Sequence, residues 1–292
     1  MIRAKIYNPQ PFILAVSGGV DSVVMLDQMA HKYQNLVVAH FEHGIRGADS
    51  LADAQFVRNL ARKYNLPYEI MSGGLGAQAS EETARAARYA FLRKLAHERG
   101  GVICTAHHAD DVLETIAINL RRGTGWRGLA VMSAPDIYRP LLYSTKAEIV
   151  YYAQKHHLDW REDITNAQPV YLRNQIRRVM ATKMLPATKS LLFELFERQT
   201  DARQAIERIL GRMINHSAKY RRYQFIMADD ALAAEMVYFV VRHHSGVSLL
   251  KSQIERAILA IKTAKHGEIH QLAAGVELVF STGDFVVKKP KK

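Results

Sequence analysis

The sequence predicts an α/β fold: a doubly wound, mainly parallel sheet with flanking helices, followed by a smaller, mostly helical C-terminal domain with a short β element. Three observations carry this. Through the first half, short apolar runs alternate with helix-length segments, the pattern of strands joined by crossover helices. The apolar run at 12–16 meets a turn rich in Gly and Ser and then a helix, which places backbone N–H groups where an anion can bind. Beyond about residue 187 the alternation gives way to long helical patterns and a closing group of short strands.

Taken in order, strand 12–16 leads through Ser17-Gly18-Gly19-Val20-Asp21-Ser22 into a helix at 23–32, and 36–41 is a second strand. Residues 49–64 have helical spacing in Leu51, Ala54, Phe56 and Leu60, closed by Asn65-Leu66-Pro67 before a strand at 68–71. Ser80, with Glu82 and Thr83, opens a helix that runs to about 97 and breaks at Gly100-Gly101. Strand 102–106 then enters His107-His108-Ala109-Asp110-Asp111, and helix 112–121 ends in Arg122-Gly123-Thr124-Gly125. Residues 145–156 are helical, and 159–169 form a polar loop around Trp160. The domains are placed at 1–187 and 188–292, the second with helices near 191–215, 230–243 and 248–264 and strands at 270–272, 277–280 and 285–287.

Composition narrows the function classes. With 48% hydrophobic and 23% charged residues the chain reads as an ordinary globular protein, and no apolar stretch approaches the length of a membrane span. Its single cysteine, Cys104, excludes an internal disulfide, a Cys-ligated iron–sulfur cluster and a paired-cysteine zinc site within one chain. The first ten residues lack the apolar core of a secretory signal, so the expectation is a cytoplasmic protein with no membrane partner. Lys and Arg number 40 against 28 Asp and Glu, a net charge of +12, which suits a polyanion. A merely basic protein has the same numbers, so motifs must decide.

The loop at 17–22 comes first. Its amides and the positive end of the following helix suit phosphate; Gly18 and Gly19 permit close approach, and the Ser17 and Ser22 hydroxyls add donors. It is neither a Walker loop nor a dinucleotide fingerprint; the plain alternative is a turn that packs a helix on a sheet. Asp21 repels phosphate unless a metal bridges the two, and Mg²⁺ resolves that conflict. Asp21 and Asp111 both follow predicted parallel strands, where open α/β sheets bind ligands, and together they are the candidate metal ligands. Asp111 and Glu114 share a helical face, and capping by Asp110-Asp111 is compatible with a site role. His107 and His108 point to opposite sides of an extended backbone, so at most one faces a nucleotide.

Arg88, Arg122, Arg173 and Arg177 are candidates for phosphate and base contact. Residues 168–188 carry Arg173, Arg177, Arg178 and Lys183 with no acid, a basic surface beside the presumed site. Lys219, Arg221 and Arg222 lie beside Tyr220 and Tyr223, a cluster that suits RNA backbone and unstacked bases, or equally a solvated helix face. The basic tail at 288–292 is either an RNA contact or a frayed end.

The strand followed by Ser-Gly-Gly-Val-Asp-Ser resembles the pyrophosphate loop of the N-type ATP pyrophosphatases, the PP-loop superfamily. His43-Gly44-Ile45-Arg46, the run 84–92, 106–111 with Glu114-Thr115, Arg122-Gly123-Thr124-Gly125, Arg139-Pro140-Leu141, 162–166 and Arg173-Asn174-Gln175-Ile176-Arg177 resemble, in the family's order, the short tRNA(Ile)-lysidine synthetases. The likeness covers roughly 12–185 and is looser beyond. It departs mildly at Glu42, where the family has Asp, and at Ile45, where it has Leu.

That resemblance implies a carbon–nitrogen ligase. ATP adenylates C2–O of the wobble cytidine, position 34, in a CAU-anticodon tRNA(Ile), and the ε-amine of free L-lysine then displaces AMP to give lysidine. It further implies ATP and Mg²⁺, a possible homodimer, catalytic roles for Asp21, Asp111, Glu114, Arg88 and Arg177, and ATP contacts from His43, Arg46 and His107 beside the 17–22 loop. Contacts with tRNA fall to Arg122, Arg173, Arg178, Lys219, Arg221 and Arg222. Alternatives are a PP-loop tRNA thiolase, which Cys104 alone serves poorly, and a non-catalytic tRNA-binding protein, which has no need to keep Asp21 and Asp111.

Overall fold

The structure, a computed structural model, describes residues 5–42, 48–74, 76, 80–134, 136–161, 172–214 and 219–289. The chain forms two compact units, Met1–Thr200 and Asp201–Lys292.

The first unit is built on five parallel strands in the order β3-β2-β1-β4-β5. These are β1 (Phe12–Ala15), β2 (Leu36–Glu42), β3 (Tyr68–Ser72), β4 (Val102–Cys104) and β5 (Ile137–Tyr138). Its helices are α1 (Val20–Lys32), α2 (Ala48–Lys63), α3 (Glu81–Arg99), α4 (Ala109–Arg121), α5 (Lys146–Lys155) and α6 (Leu172–Lys183), then the first half of α7 (Pro186–Met213). The chain winds outward from β1 through β2 to β3, then returns to β4 on the other side of β1. The strand order therefore reverses between β1 and β4, the crevice where such sheets bind ligands.

The sheet is buried on both faces, which explains the nearly continuous apolar strands. Leu14, Val16, Leu36, Val38 and Cys104 face one core with α1, α2 and α5. Alternate residues Ile13, Val37, Ala39, Phe41 and Ile103 face the other, beneath Tyr89, Phe91, Leu92 and Leu95 of α3. A smaller cluster joins Val112 and Ile116 of α4 to Val131 and Phe196.

Helix boundaries follow local chemistry. Ser80 caps α3 by accepting from the Thr83 N–H at 3.1 Å, and Gly100 closes that helix in the left-handed region at φ 60°. Thr145 and Glu148 form a capping box that starts α5. Three features depart from expectation: α1 begins at Val20, α6 forms within the stretch read only as a basic surface, and β5 extends the sheet by two residues.

The second unit packs the end of α7, α8 (Arg222–Met227), α9 (Asp230–Ser245) and α10 (Lys251–Thr263) with an antiparallel sheet in the order β6-β9-β8-β7. Its strands are β6 (Tyr220–Arg221), β7 (Ile269–Gln271), β8 (Glu277–Phe280) and β9 (Asp284–Lys288). Phe225, Phe280 and Phe285 sit at its core with Val237, Val241, Ile261 and Leu278. The division into units falls inside α7, whose Phe193 and Phe196 pack with α4 residues in the first unit. The expected boundary near 187 marks instead the start of that helix.

Candidate active site

The loop after β1 is held from several sides. Gly18 adopts φ +95°, and a Cβ there would lie 3.3 Å from the Phe56 ring, so backbone angle and space both call for glycine. The buried Ser22 Oγ accepts from the Ser17 and Gly18 N–H groups at 3.2 and 3.1 Å and donates to the Gly19 carbonyl at 2.9 Å. The Ser22 hydroxyl thus closes the loop on itself rather than pointing outward as a free donor. Gly19 begins α1 without a side-chain cap, which leaves the helix's positive end to a ligand.

Two further supports were not visible in the sequence. Buried His40, on β2, binds the Val16 carbonyl through Nδ1 at 2.8 Å, and desolvation holds its pKa below the usual histidine value. A carbonyl only accepts, so His40 donates from Nδ1. The Arg161 N–H donates to the Gly18 carbonyl at 3.0 Å, while its guanidinium pairs with Asp53 of α2.

Across the crevice, the chain leaving β4 sorts the two histidines. Thr105 Oγ1 lies 2.8 Å from His107 Nδ1, and His107 is absent from the cavity wall. His108 is the buried one that lines the cavity. Its N–H donates to Asp111 Oδ2 at 3.1 Å, so Asp111 holds the helix start, and it also lines the cavity. The His108 ring lies 3.6–3.9 Å from carboxylate oxygens of Asp21, Asp110 and Asp111.

The cavity between these segments measures about 330 Å³. Its walls carry four carboxylates, Asp21, Asp110, Asp111 and Glu114, against the cations Lys146, Arg177 and Lys189. Glu114 is 2% exposed and is gripped by Arg177 through two bonds of 2.6 and 3.1 Å, the fork geometry that suits Arg. The Glu114 hydrogen bond raises the Arg177 pKa, so this guanidinium is firmly charged. Lys146 Nζ lies 2.6 Å from Asp21 Oδ1, and its N–H donates to Asp110 Oδ2 at 2.7 Å.

Asp21, Asp111, Glu114 and Arg177 therefore meet in one cavity. Arg88 lies elsewhere on α3, half-buried with its guanidinium 5.4 Å from the Tyr89 ring centre, and Arg122 is exposed after α4. Arg178 is exposed on α6, and Arg173 lies on the same helix. His43 and Arg46 fall outside the described residues, as does the segment 162–166. In the second unit Lys219 and Arg221 are exposed. Arg222 departs from the expected surface cluster: it is 9% exposed, and its Nε donates to the Ile261 carbonyl at 2.7 Å. Tyr220 is buried too, whereas Tyr223 is exposed. Reasoning from sequence missed Lys146 and Lys189; the Thr145–Glu148 capping box signals the helix start but not what its first residue meets.

Among the described residues, no three His, Cys, Asp or Glu side chains gather into a metal shell of their own. Mg²⁺ at nucleotide sites takes one or two carboxylates and completes its shell with phosphate oxygens and water. Asp21 and Asp111 supply such hard oxygens near one histidine nitrogen, and the Lys146 ammonium already stands on Asp21 as a stand-in cation. The donor set fits.

Residues 2–184 match the PP-loop domain family. Among curated proteins, the chain is 35% identical over 199 residues to the tRNA(Ile)-lysidine synthase of Solibacter usitatus, covering 66% of this chain and 45% of that protein. It is 32% identical over 254 residues to that of Thermotoga maritima, covering 80% and 61%. The chain thus spans about half the length of the curated relatives it matches. Among solved structures, the U34-tRNA thiolase NcsA from Methanococcus maripaludis, with its [4Fe-4S] cluster, aligns with a TM-score of 0.55 at 18% identity, over 67% of this chain and 73% of that one. At that identity the likeness concerns fold. No described helix is long and apolar enough to cross a membrane.

Proposed function

The chain belongs to the PP-loop domain family, and from that premise we propose that it ligates lysine to C2 of the wobble cytidine, position 34, in a CAU-anticodon tRNA(Ile). The observation that carries this reading is the convergence of Asp21, Asp111 and the Glu114–Arg177 pair in one cavity at the strand-order reversal. Relatives 32–37% identical, named tRNA(Ile)-lysidine synthases, supply the substrate class.

In the first half-reaction the cytidine C2 carbonyl oxygen attacks the α-phosphorus of ATP and pyrophosphate leaves. Negative charge spreads over the phosphate, and the α1 N-terminus and the 17–22 loop meet it with fixed dipoles. Asp21 and Asp111 would hold Mg²⁺, which would supply charge neutralisation for the phosphates. In the second half-reaction the lysine ε-amine attacks C2, the C2–O bond breaks, and AMP leaves with the oxygen. The ammonium must first lose a proton, at a cost of about 4–5 kcal/mol at neutral pH from a pKa near 10.4. Asp111 recognises the ammonium and relays that proton, with Glu114 beside it. Arg177 holds Glu114 in place through its two hydrogen bonds and reaches toward phosphate.

Thiolation is disfavoured by one specific observation. Cys104 is fully buried on β4, and burial pushes its thiol pKa up, so it carries no sulfur to the cavity. Incubation with ATP, labelled lysine and a CAU-anticodon isoleucine tRNA tests the proposal. Label is expected in the tRNA in step with AMP release. AMP formation with some other donor, and no label in the tRNA, would sink it.

A further inference from the structure

Lys146 was not foreseen as part of the site, yet it holds the most exposed carboxylate of the cavity. Its Nζ lies 2.6 Å from Asp21 Oδ1, a short, charge-assisted contact across 125 positions of sequence. The lysine is not loosely placed. It is the first residue of α5, its N–H donates to Asp110 Oδ2 at 2.7 Å, and the Thr145–Glu148 capping box fixes the helix start. Only the side chain is left to move, and it is 45% exposed at the cavity wall.

The charges make this contact informative. Four carboxylates face three cations, so the cavity disfavours a bare polyphosphate. Asp21 lies in the first turn of α1, next to the amides suited to phosphate, so its charge needs a partner in every state. Without nucleotide the partner is Lys146. With a metal–nucleotide complex, a divalent cation on the Asp21 carboxylate repels the Lys146 ammonium on Oδ1 and weakens its hold.

Resting on the ATP reading above, we propose that Lys146 is a charge placeholder: it neutralises Asp21 in the free protein, yields that carboxylate to Mg²⁺ as the nucleotide enters, and moves onto the phosphates. One side chain then serves both states, and the exchange couples metal and nucleotide binding. Mg²⁺ alone must displace the lysine with nothing to receive it, whereas the Mg²⁺–polyphosphate complex supplies the receiving anion. Arg177 and Lys189 do not share this role, because their partners are Glu114 and Asp110.

Calorimetry on the full chain tests the exchange, with Mg²⁺ alone, Mg²⁺–pyrophosphate and Mg²⁺ with a non-hydrolysable ATP analogue as probes. In Lys146→Met, Asp21 is uncovered, so binding of Mg²⁺ alone should appear or tighten. Affinity for the two polyphosphate complexes should fall roughly 10- to 100-fold, the worth of one hydrogen bond to a charged group. Lys146→Arg should restore most polyphosphate affinity. A salt bridge that merely held the fold would lower the thermal midpoint and leave both affinities unchanged, which would overturn the proposal. Should Lys146→Met fail to fold, ¹³C labelling of lysine ε-carbons in the wild-type chain decides. The Lys146 signal, assigned with Lys146→Arg, must shift with Mg²⁺–pyrophosphate, and a fixed signal rejects the exchange. Wild-type protein that binds neither polyphosphate removes the ATP reading itself, and the placeholder with it.

Discussion

His40 sits behind the 17–22 loop, donating from Nδ1 to the Val16 carbonyl, and burial disfavours its charged form. Nearby Asp53 and Glu42 offset part of that effect. Its folded pKa lies below the ordinary 6.5, so the unfolded chain takes up the proton first. Above pH 6.5 both states are neutral and stability is untouched. As pH falls below 6.5 stability drops, and the drop ends once the folded pKa is passed. Thermal midpoints of wild type and His40→Asn between pH about 5 and 7.5 should therefore converge at acid pH, because Asn keeps a donor for Val16 without titrating. Parallel curves would show that other histidines set the slope. Asp21→Ala is expected to abolish AMP formation while leaving tRNA binding near wild type; equal loss of both points to misfolding or to a misplaced site. What the sequence revealed at this scale was local. Asp21, Asp111 and Glu114 belong to runs whose spacing alone brings them to strand ends. Lys146 and His40 act through partners 125 and 24 positions away, and nothing in their neighbours records the approach.

Among the elements, three helices on one face of the sheet share a single carboxylate. Asp27 of α1 is 3% exposed and accepts from Tyr64, just after α2, at 2.6 Å and from Tyr152 of α5 at 2.7 Å, one on each oxygen. Burial raises the pKa of both tyrosines, so both remain donors. The clamp ties the helix that follows the 17–22 loop to the helix that presents Lys146. Asp27→Ala should cost about 2–4 kcal/mol in urea unfolding, two hydrogen bonds to a charged acceptor less what water restores. A loss under about 1 kcal/mol would mean that the hydroxyls rehydrate freely. Elements with strong apolar runs, such as β1 and β2, were legible; α6 was not, because Met180 is its one side chain described as buried and its charges read as surface. The two residues of β5 lie below any periodic signal, and the first turn of α1 hides behind glycines that read as loop.

For the whole molecule the decisive quantity is charge. A net +12 predicts salt-sensitive binding to tRNA, but the sum does not say which cations meet the phosphates. The second unit separates two residues that sequence placed together. Arg221 is exposed beside exposed Lys219, whereas Arg222 turns inward to the Ile261 carbonyl and stands 5.5 Å from the Phe280 ring centre. A basic pair in sequence thus divides into a surface charge and a core strut, because adjacent residues at a strand–helix junction face different sides. Replacing Lys219 and Arg221 with Ala should weaken tRNA binding uniformly across sequences. It should also flatten the slope of log K against log salt by about 1–2, with the thermal midpoint unchanged. Arg222→Ala should do the reverse: leave buried carbonyls unpaired at a cost of about 1–3 kcal/mol, with the slope unaltered in the folded fraction. Filter binding across a salt series, beside thermal melts of each variant, reads both. If the Lys219/Arg221 double variant keeps the wild-type slope, this cluster is a solvated face, and the search for the RNA surface moves to the cations of α6.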